Sequence, residues 1–196
     1  MTPRTKEQNE DIRLRRLAQI RKAAADVFLD KGPLLEIRDV AAQAGLGYGT
    51  VYHYYSNKGD LLNDLLWDAL DRAGGWMGGA ELSPDTASVR LLELWAEDHA
   101  VYLLYKQAGE GFASLPEARS SPLSAAFLQE VLTPFAALLA DGDSTSGGNE
   151  AESPYRLQRA EMLLAALAGC ASLSLRRGKL HEEAGDITRL LKFQNE

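Results

Sequence analysis

Glu36-Ile37-Arg38-Asp39-Val40-Ala41-Ala42-Gln43-Ala44-Gly45-Leu46-Gly47-Tyr48-Gly49-Thr50-Val51-Tyr52-His53-Tyr54-Tyr55-Ser56-Asn57-Lys58 reads as two short helices about a glycine turn. Val40, Ala41 and Ala44 form a small apolar face on the first piece, spanning about 36–44. Gly45 can adopt the left-handed backbone that closes a helix without a Cβ penalty. Gly47 can then cap a second helix over 48–54, on which Val51 and Tyr55 lie four apart on one face. Such a helix-turn-helix leaves the outer side of its second helix free to enter a major groove.

Working outward, Leu17, Ile20, Ala24, Val27 and Phe28 make an apolar stripe at helical spacing. They predict a first helix from about Asp11 to Lys31, ended by Gly32-Pro33. Residues 1–10 read as a flexible polar arm. Asn57 suits the N-cap of a fourth helix carrying Leu61, Leu62, Leu65, Leu66 and Leu70, with Asp60 near the positive end of its dipole. The glycine cluster from Gly74 to Gly79 marks the end of that connecting helix, giving a domain over 11–57, a connector over 58–79 and a helical remainder over 80–196. Ser83-Pro84-Asp85 opens a fifth helix running or bending on to Leu104, residues 109–122 read as irregular with room for a short helical turn, and Ser124–Ala140 as a helix kinked at Pro134. Residues 141–153 lack the apolar pattern of packed structure. Pro154 opens a long helix to about Arg177, Gly178 stops it, and His181 to Phe193 form the last. The expected fold class is all-α.

From Leu17 to Leu66 the chain resembles the DNA-binding domain of the TetR (tetracycline-repressor) family of transcriptional regulators. The pattern runs through Ile20-Ala23-Ala24-Phe28-Gly32, Ile37, Val40-Ala41, Ala44-Gly45-Leu46, Val51-Tyr52-His53-Tyr54-Tyr55, and Lys58 before Leu61-Leu62. It covers about a quarter of the chain. The resemblance implies that Arg38, Gly47, Tyr48, Thr50, Tyr52, His53, Tyr54 and Lys58 form the DNA-facing set. Tyr48 and Thr50 would stand at the base edges, while Tyr52, His53, Tyr54 and Lys58 would hold phosphates. Tyr55 reads as core. Three positions depart from the family's habit: Gly47 lacks a capping hydroxyl, Tyr48 replaces a basic or small polar residue, and Glu36 replaces a threonine cap. The operator preference of a relative therefore does not transfer.

The net charge of −7 divides unevenly. Residues 1–62 hold ten Lys/Arg against eight Asp/Glu, whereas 63–196 hold eleven against twenty. Arg13, Arg15, Arg16, Arg21 and Lys22 cluster, which suits phosphate attraction beside a helix-turn-helix, although alone it would suit a solvated helix face. The sequence has 196 residues and is 45% hydrophobic, enough for a sizeable core. No uninterrupted apolar run approaches the roughly 18 residues of a membrane span, and the N-terminus leads into charge rather than an apolar leader. One cysteine, Cys170, excludes an internal disulfide and reads as a small apolar filler. These features predict a cytoplasmic protein with no membrane contact, cofactor or metal.

For the remaining helices the resemblance implies a ligand-receiving and dimerising domain. Trp95, His99, Tyr102, Tyr105, Phe112, Phe127 and Met162 are the candidates to line a pocket for an apolar or aromatic inducer; the same spacing suits packed core. Glu93, Glu97 and Asp98 would suit a cationic ligand only if turned inward. Ala165, Ala168, Gly169 and Ser172, with Ile187 and Leu191, are the candidates for a two-helix interface with a second copy, or for close packing within one chain. The function expected is a repressor that binds a palindromic double-stranded operator as a homodimer and is released by a small molecule. The alternative is an activator or an inducer-independent regulator. Three scattered histidines, without a nucleophile elbow, a phosphate-binding glycine loop or metal-ligand spacing, argue against an enzyme. A helical module that binds protein instead of DNA is separable by salt-dependent duplex binding.

Overall fold

The computed structural model describes residues 6–77, 82–140 and 154–191, and within these every regular element is helical. The chain divides into two compact units, Met1–Leu65 and Leu66–Glu196. The division falls inside one helix.

In the first unit, α1 spans Lys6–Lys31 and starts five residues before the expected position. Its leading turns are Lys, Glu, Gln and Asn, which tolerate a solvated helix, and Glu10–Arg13 and Asp11–Arg15 pair along its surface at 2.9 and 2.8 Å. Only from Ile20 onward does it bury a face, through Ile20, Ala23, Ala24, Val27 and Phe28. Gly32 takes φ +57° and a 3-10 turn, Gly32–Leu34, follows with Pro33 inside it. α2 (Ile37–Gln43) packs on α1, and α3 (Tyr48–Tyr54) packs on α2. Gly45 has φ +64°, and the Gln19 amide donates to the Ala44 carbonyl at 2.7 Å, satisfying an acceptor at the end of α2. α4 is Lys58–Ala73; Asn57 caps it by accepting from the Asp60 N–H at 2.9 Å.

In the second unit, α5 (Pro84–Glu97) is capped by Ser83, and α6 (His99–Gly109) by Asp98. The expected continuation through Leu104 is thus broken at one residue. Asp98 leaves helical geometry and its carboxylate accepts from the Ala100 and Val101 N–H groups at 3.0 and 3.2 Å. α7 (Glu117–Phe127) begins inside the segment expected to be irregular and carries Pro122 in its interior. The missing N–H costs one backbone bond on an exposed side, a loss the buried Leu123 and Phe127 offset. A π-type turn, Leu128–Leu132, joins it to α8 (Thr133–Ala140). The wider turn lies just ahead of Pro134, whose ring cannot fit an ordinary helical ladder, so the expected kink is realised as an expanded turn.

α9 (Pro154–Arg176) ends at Gly178, φ +66°, where Lys179 N–H donates to Ser174 and Gly178 N–H to Leu175 in a Schellman closure. α10 is Leu180–Leu190. α5 packs on α6, α9 and α10, while α9 also packs on α6, α8 and α10. By length and composition, residues 117–139 could cross a membrane. Leu123, Phe127, Val131 and Phe135 are instead buried at four-residue intervals, the spacing of one face of a helix packed in a bundle. The expected features at residues 1–5, Gly78-Gly79, 141–153 and Phe193 lie outside the described residues.

Candidate nucleic-acid interface

Val51 is wholly buried and Tyr55 nearly so, which pins one side of α3 to the unit. The other side is open: Tyr48 is 54% and Tyr52 49% exposed, and Thr50 and His53 are also exposed, while Tyr54 is half-buried. Tyr48 and Tyr52, one turn apart, stack with ring centroids 5.6 Å apart and planes at 28°. The stack presents a stiff, mostly apolar surface with two phenol groups. Such groups can touch a thymine methyl, donate to phosphate, or do both. His53 and Tyr54 meet edge to face at 5.6 Å.

An open cleft of about 580 Å³ lies beside this face, lined by Leu35, Glu36, Ile37, Arg38, Tyr48 and Lys58. Three of the expected DNA-facing residues, Arg38, Tyr48 and Lys58, therefore share one concavity although 20 positions separate the outermost two. Lys58 donates to the Pro33 carbonyl at 2.8 Å. An ammonium carries three N–H donors, so this bond fixes the side chain and leaves capacity for a phosphate oxygen. Arg38 pairs with Glu36 at 2.8 Å, and both side chains are more than half exposed. A pair this open is worth at most about 1 kcal/mol, less than a charge-assisted bond from arginine to phosphate. Arg38 can exchange Glu36 for DNA at small cost. Next to it, Lys31 lies 2.8 Å from Asp39 and holds that carboxyl below the usual range, while Asp39 accepts from the Glu36 N–H to cap α2.

The bond network behind α3 was not foreseen from the sequence. Asp64 on α4 accepts from the Tyr55 hydroxyl and, on the same oxygen, from Arg21 Nε of α1 at 2.7 Å. Partial burial works against the Asp64 carboxylate, but the bonds from Arg21 and Tyr55 outweigh it and hold the carboxyl below its ordinary range. Burial, reinforced by Asp64, pushes the Tyr55 phenol up. Residues 43 positions apart meet here, and no local spacing signals it.

Gly47 and Gly49 leave the leading turn of α3 nearly bare; a Cβ at Gly49 would meet nothing within 4 Å. The substitution Gly49→Ala should therefore stabilise the first unit, by up to about 0.5–1 kcal/mol. If that turn meets DNA, as the resemblance implies, the added methyl group should weaken duplex binding at the same time. Thermal unfolding and a duplex titration read the two opposite signs.

In the second unit Trp95, Tyr102, Tyr105, Phe112 and Phe127 are all buried and form one connected aromatic cluster. Trp95 meets Tyr102 and Tyr105 edge-on at 5.6 and 5.1 Å, and Phe127 bridges Tyr105 and Phe112 at 5.4 and 6.2 Å. Tyr105 donates to the Ala73 carbonyl and accepts from Trp76 Nε1, and burial pushes its phenol up. Trp95 Nε1 and Gln107 Oε1 are buried without a protein partner. His99 is half-buried at the start of α6. Met162 does not join the cluster: it is 64% exposed on α9. Asp98 does not face a ligand either, since it caps α6 and takes Arg72 Nε at 2.7 Å, while Glu97 is exposed.

Of the residues expected at an interface between copies, Ala165 and Gly169 are exposed, and Ser172 and Leu191 half-exposed. Ala168 and Ile187 are buried against the chain's own helices instead, because they fall on the inward sides of α9 and α10. Cys170 is half-buried and free. No group of three or more His, Cys, Asp or Glu residues able to hold a metal occurs among the described residues.

Comparison with known proteins agrees with this geometry. Residues 20–65 match the family model described as bacterial regulatory proteins, tetR family. The transcriptional repressor KstR2 of Mycolicibacterium smegmatis (strain ATCC 700084 / mc(2)155) is 27% identical over 111 residues, 50% of this chain and 52% of that protein. The match thus spans about half the length of that relative. Among solved structures, a TetR-family transcriptional regulator from Bordetella parapertussis 12822 superposes with a TM-score of 0.65 at 18% identity, over 91% of this chain and 95% of that one. The regulator FadR from Bacillus subtilis, in complex with stearoyl-CoA, gives 0.56 at 18% identity, over 91% and 99%. These superpositions show a shared fold. Residues 20–65, which hold the helix-turn-helix, thus match the tetR family of bacterial regulatory proteins, and the rest of the chain shares its fold with the structures above.

Proposed function

We propose that this protein is a transcriptional repressor that grips a palindromic operator as a two-fold dimer and lets go when a small apolar molecule enters its second unit. The observation that carries the DNA half is the division of α3, with Val51 and Tyr55 buried and Tyr48, Thr50, Tyr52 and His53 turned outward beside Arg38 and Lys58. A helix held on one side and open on the other fits a major groove about 12 Å wide.

Two observations support the ligand half. The aromatic cluster around Trp95 holds a buried indole N–H without a protein partner, the kind of group that orients a bound molecule, and Gln107 Oε1 on α6 is buried without one too. A structural relative carries stearoyl-CoA. An acyl thioester or a similarly apolar molecule with a hydrogen-bonding carbonyl is the ligand class that best suits Trp95 Nε1. Such a ligand releases DNA only if it prefers the DNA-incompetent arrangement, by about 5.5 kcal/mol for a near-complete switch. α4 is the natural lever, since the division between units falls within it.

Dimerisation is supported by an outward strip of α9, where Tyr155, Met162, Ala165, Gly169 and Leu173 are exposed along one side, with Leu190 of α10 77% exposed. Small residues in its middle allow close helix approach. A Cβ at Gly169 meets nothing within 4 Å, so Gly169→Glu should leave the fold intact and abolish pairing. Sedimentation equilibrium should then read a monomer where the parent chain is a dimer.

Selection of bound genomic fragments, followed by gel shift with and without stearoyl-CoA and shorter acyl-CoA esters, tests the whole reading. The expected result is an imperfect palindrome released by one chain-length class. Selection of no sequence above background removes the operator; a complex indifferent to every ester removes this inducer class.

A further inference from the structure

The DNA-facing residues of α3 are useful only if the helix is held at one roll about its axis. α3 has seven residues and buries only Val51 of its own side chains. One buried valine fixes where a two-turn helix lies but resists rotation weakly. Helical side chains end about 5–6 Å from the axis, so a roll of about 10° moves their tips by about 1 Å. That is twice the spread of distances over which a hydrogen bond is good. Base reading therefore needs a second, directional restraint.

Tyr55 supplies one end of it. It is the residue that closes α3, its ring is 5% exposed, and its hydroxyl reaches Asp64. Asp64 is in turn held by Arg21 at 2.7 Å, whose side chain is only 21% exposed. The recognition helix, α1 and the first turns of α4 thus converge on a single carboxylate oxygen, all within the first unit. A hydrogen bond is directional where aromatic packing is not. None of the three residues stands on the outward side of α3.

We propose that Asp64 is a positioning residue for DNA reading, which fixes the roll of α3 through the Tyr55 hydroxyl and so sets sequence preference without touching DNA. The inference rests on the DNA-binding reading above. It separates two properties that ordinary destabilisation would change together: discrimination between sequences depends on Asp64, whereas the affinity common to all duplexes depends on Lys58 and the other phosphate contacts.

The test uses the full chain with two duplexes, one selected from genomic fragments and one scrambled from it at equal length and composition. Tyr55→Phe keeps the ring and removes only the hydroxyl. It should lower the affinity ratio of selected to scrambled duplex about tenfold, as expected for a lost bond to a charged group, with scrambled-duplex affinity and salt slope unchanged. Asp64→Asn should lower the ratio in the same direction. The double variant should lose no more than the worse single one, because both act through one bond. An unchanged ratio in Tyr55→Phe overturns the proposal, as does a parallel loss on both duplexes, which would mark a structural role alone. A parent protein that binds neither duplex in a salt-dependent way overturns the DNA-binding reading itself, and the proposal with it.

Discussion

Replacing Trp95 by alanine should destabilise the second unit by about 3–5 kcal/mol, the usual cost of deleting a buried aromatic side chain. Trp95 has no exposed surface, and its neighbours Tyr102 and Tyr105 meet it edge-on, so no mobile side chain is on hand to fill the space. Trp95→Phe should behave differently. It keeps a ring in the cluster and removes an indole N–H that has no partner, so an unsatisfied polar atom disappears along with the lost volume. A cost below about 1.5 kcal/mol is expected. Urea unfolding monitored by circular dichroism reads both values. If the N–H orients the inducer, Trp95→Phe should fold and still bind its operator while responding to far higher ligand concentrations only. Equal stability losses in the two variants would instead place the value of Trp95 in packing specific to its indole shape.

The second large effect belongs to Lys58 and Tyr48, which line the same cleft but are assigned different work. On the proposed reading Lys58 holds a phosphate, so in Lys58→Ala all duplexes should weaken alike, by about tenfold at moderate salt. The log–log salt dependence should flatten by about 0.9, the contribution of one released counterion. Tyr48→Ala should leave that slope alone and relax the preference for the selected sequence, because the contact proposed for Tyr48 is to base edges or thymine methyl groups. Titrations of both variants across a salt series distinguish the roles. Exchange of the two outcomes would reverse the assignment of reading and positioning.

How much of this was legible beforehand depends on whether the signal was local. The limits of α3, the left-handed Gly45, the Asn57 cap and the Gly178 stop all follow from residues within a turn of the feature they determine. The outward set on α3 followed from the burial of Val51 and Tyr55. The sequence allows a bend between α5 and α6 but does not place it, because the apolar stripe continues through it; only Asp98, as a cap rather than a surface acid, marks the break. Within 109–122 the short helical turn that the sequence allows is the start of α7, and its length is masked by Pro116 and Pro122, which read as loop residues without their tertiary context. The Asp64 network was beyond reach, as its partners lie nine and 43 positions away. In the second unit five of the aromatic candidates lie together in one buried cluster, yet Met162 and Ala168 show that spacing alone does not say which way a residue faces.

If the protein reads DNA as proposed, the open side of α3 lies in a major groove. Methylation protection on the selected duplex tests it directly, because dimethyl sulfate attacks guanine N7 in the major groove and adenine N3 in the minor groove. The expected result is protection of guanine N7 in two symmetric patches, centred one helical turn or a multiple of about 34–36 Å apart, with adenine N3 between them left reactive. Protection confined to adenine N3, or no protection in a fully bound complex, would contradict it.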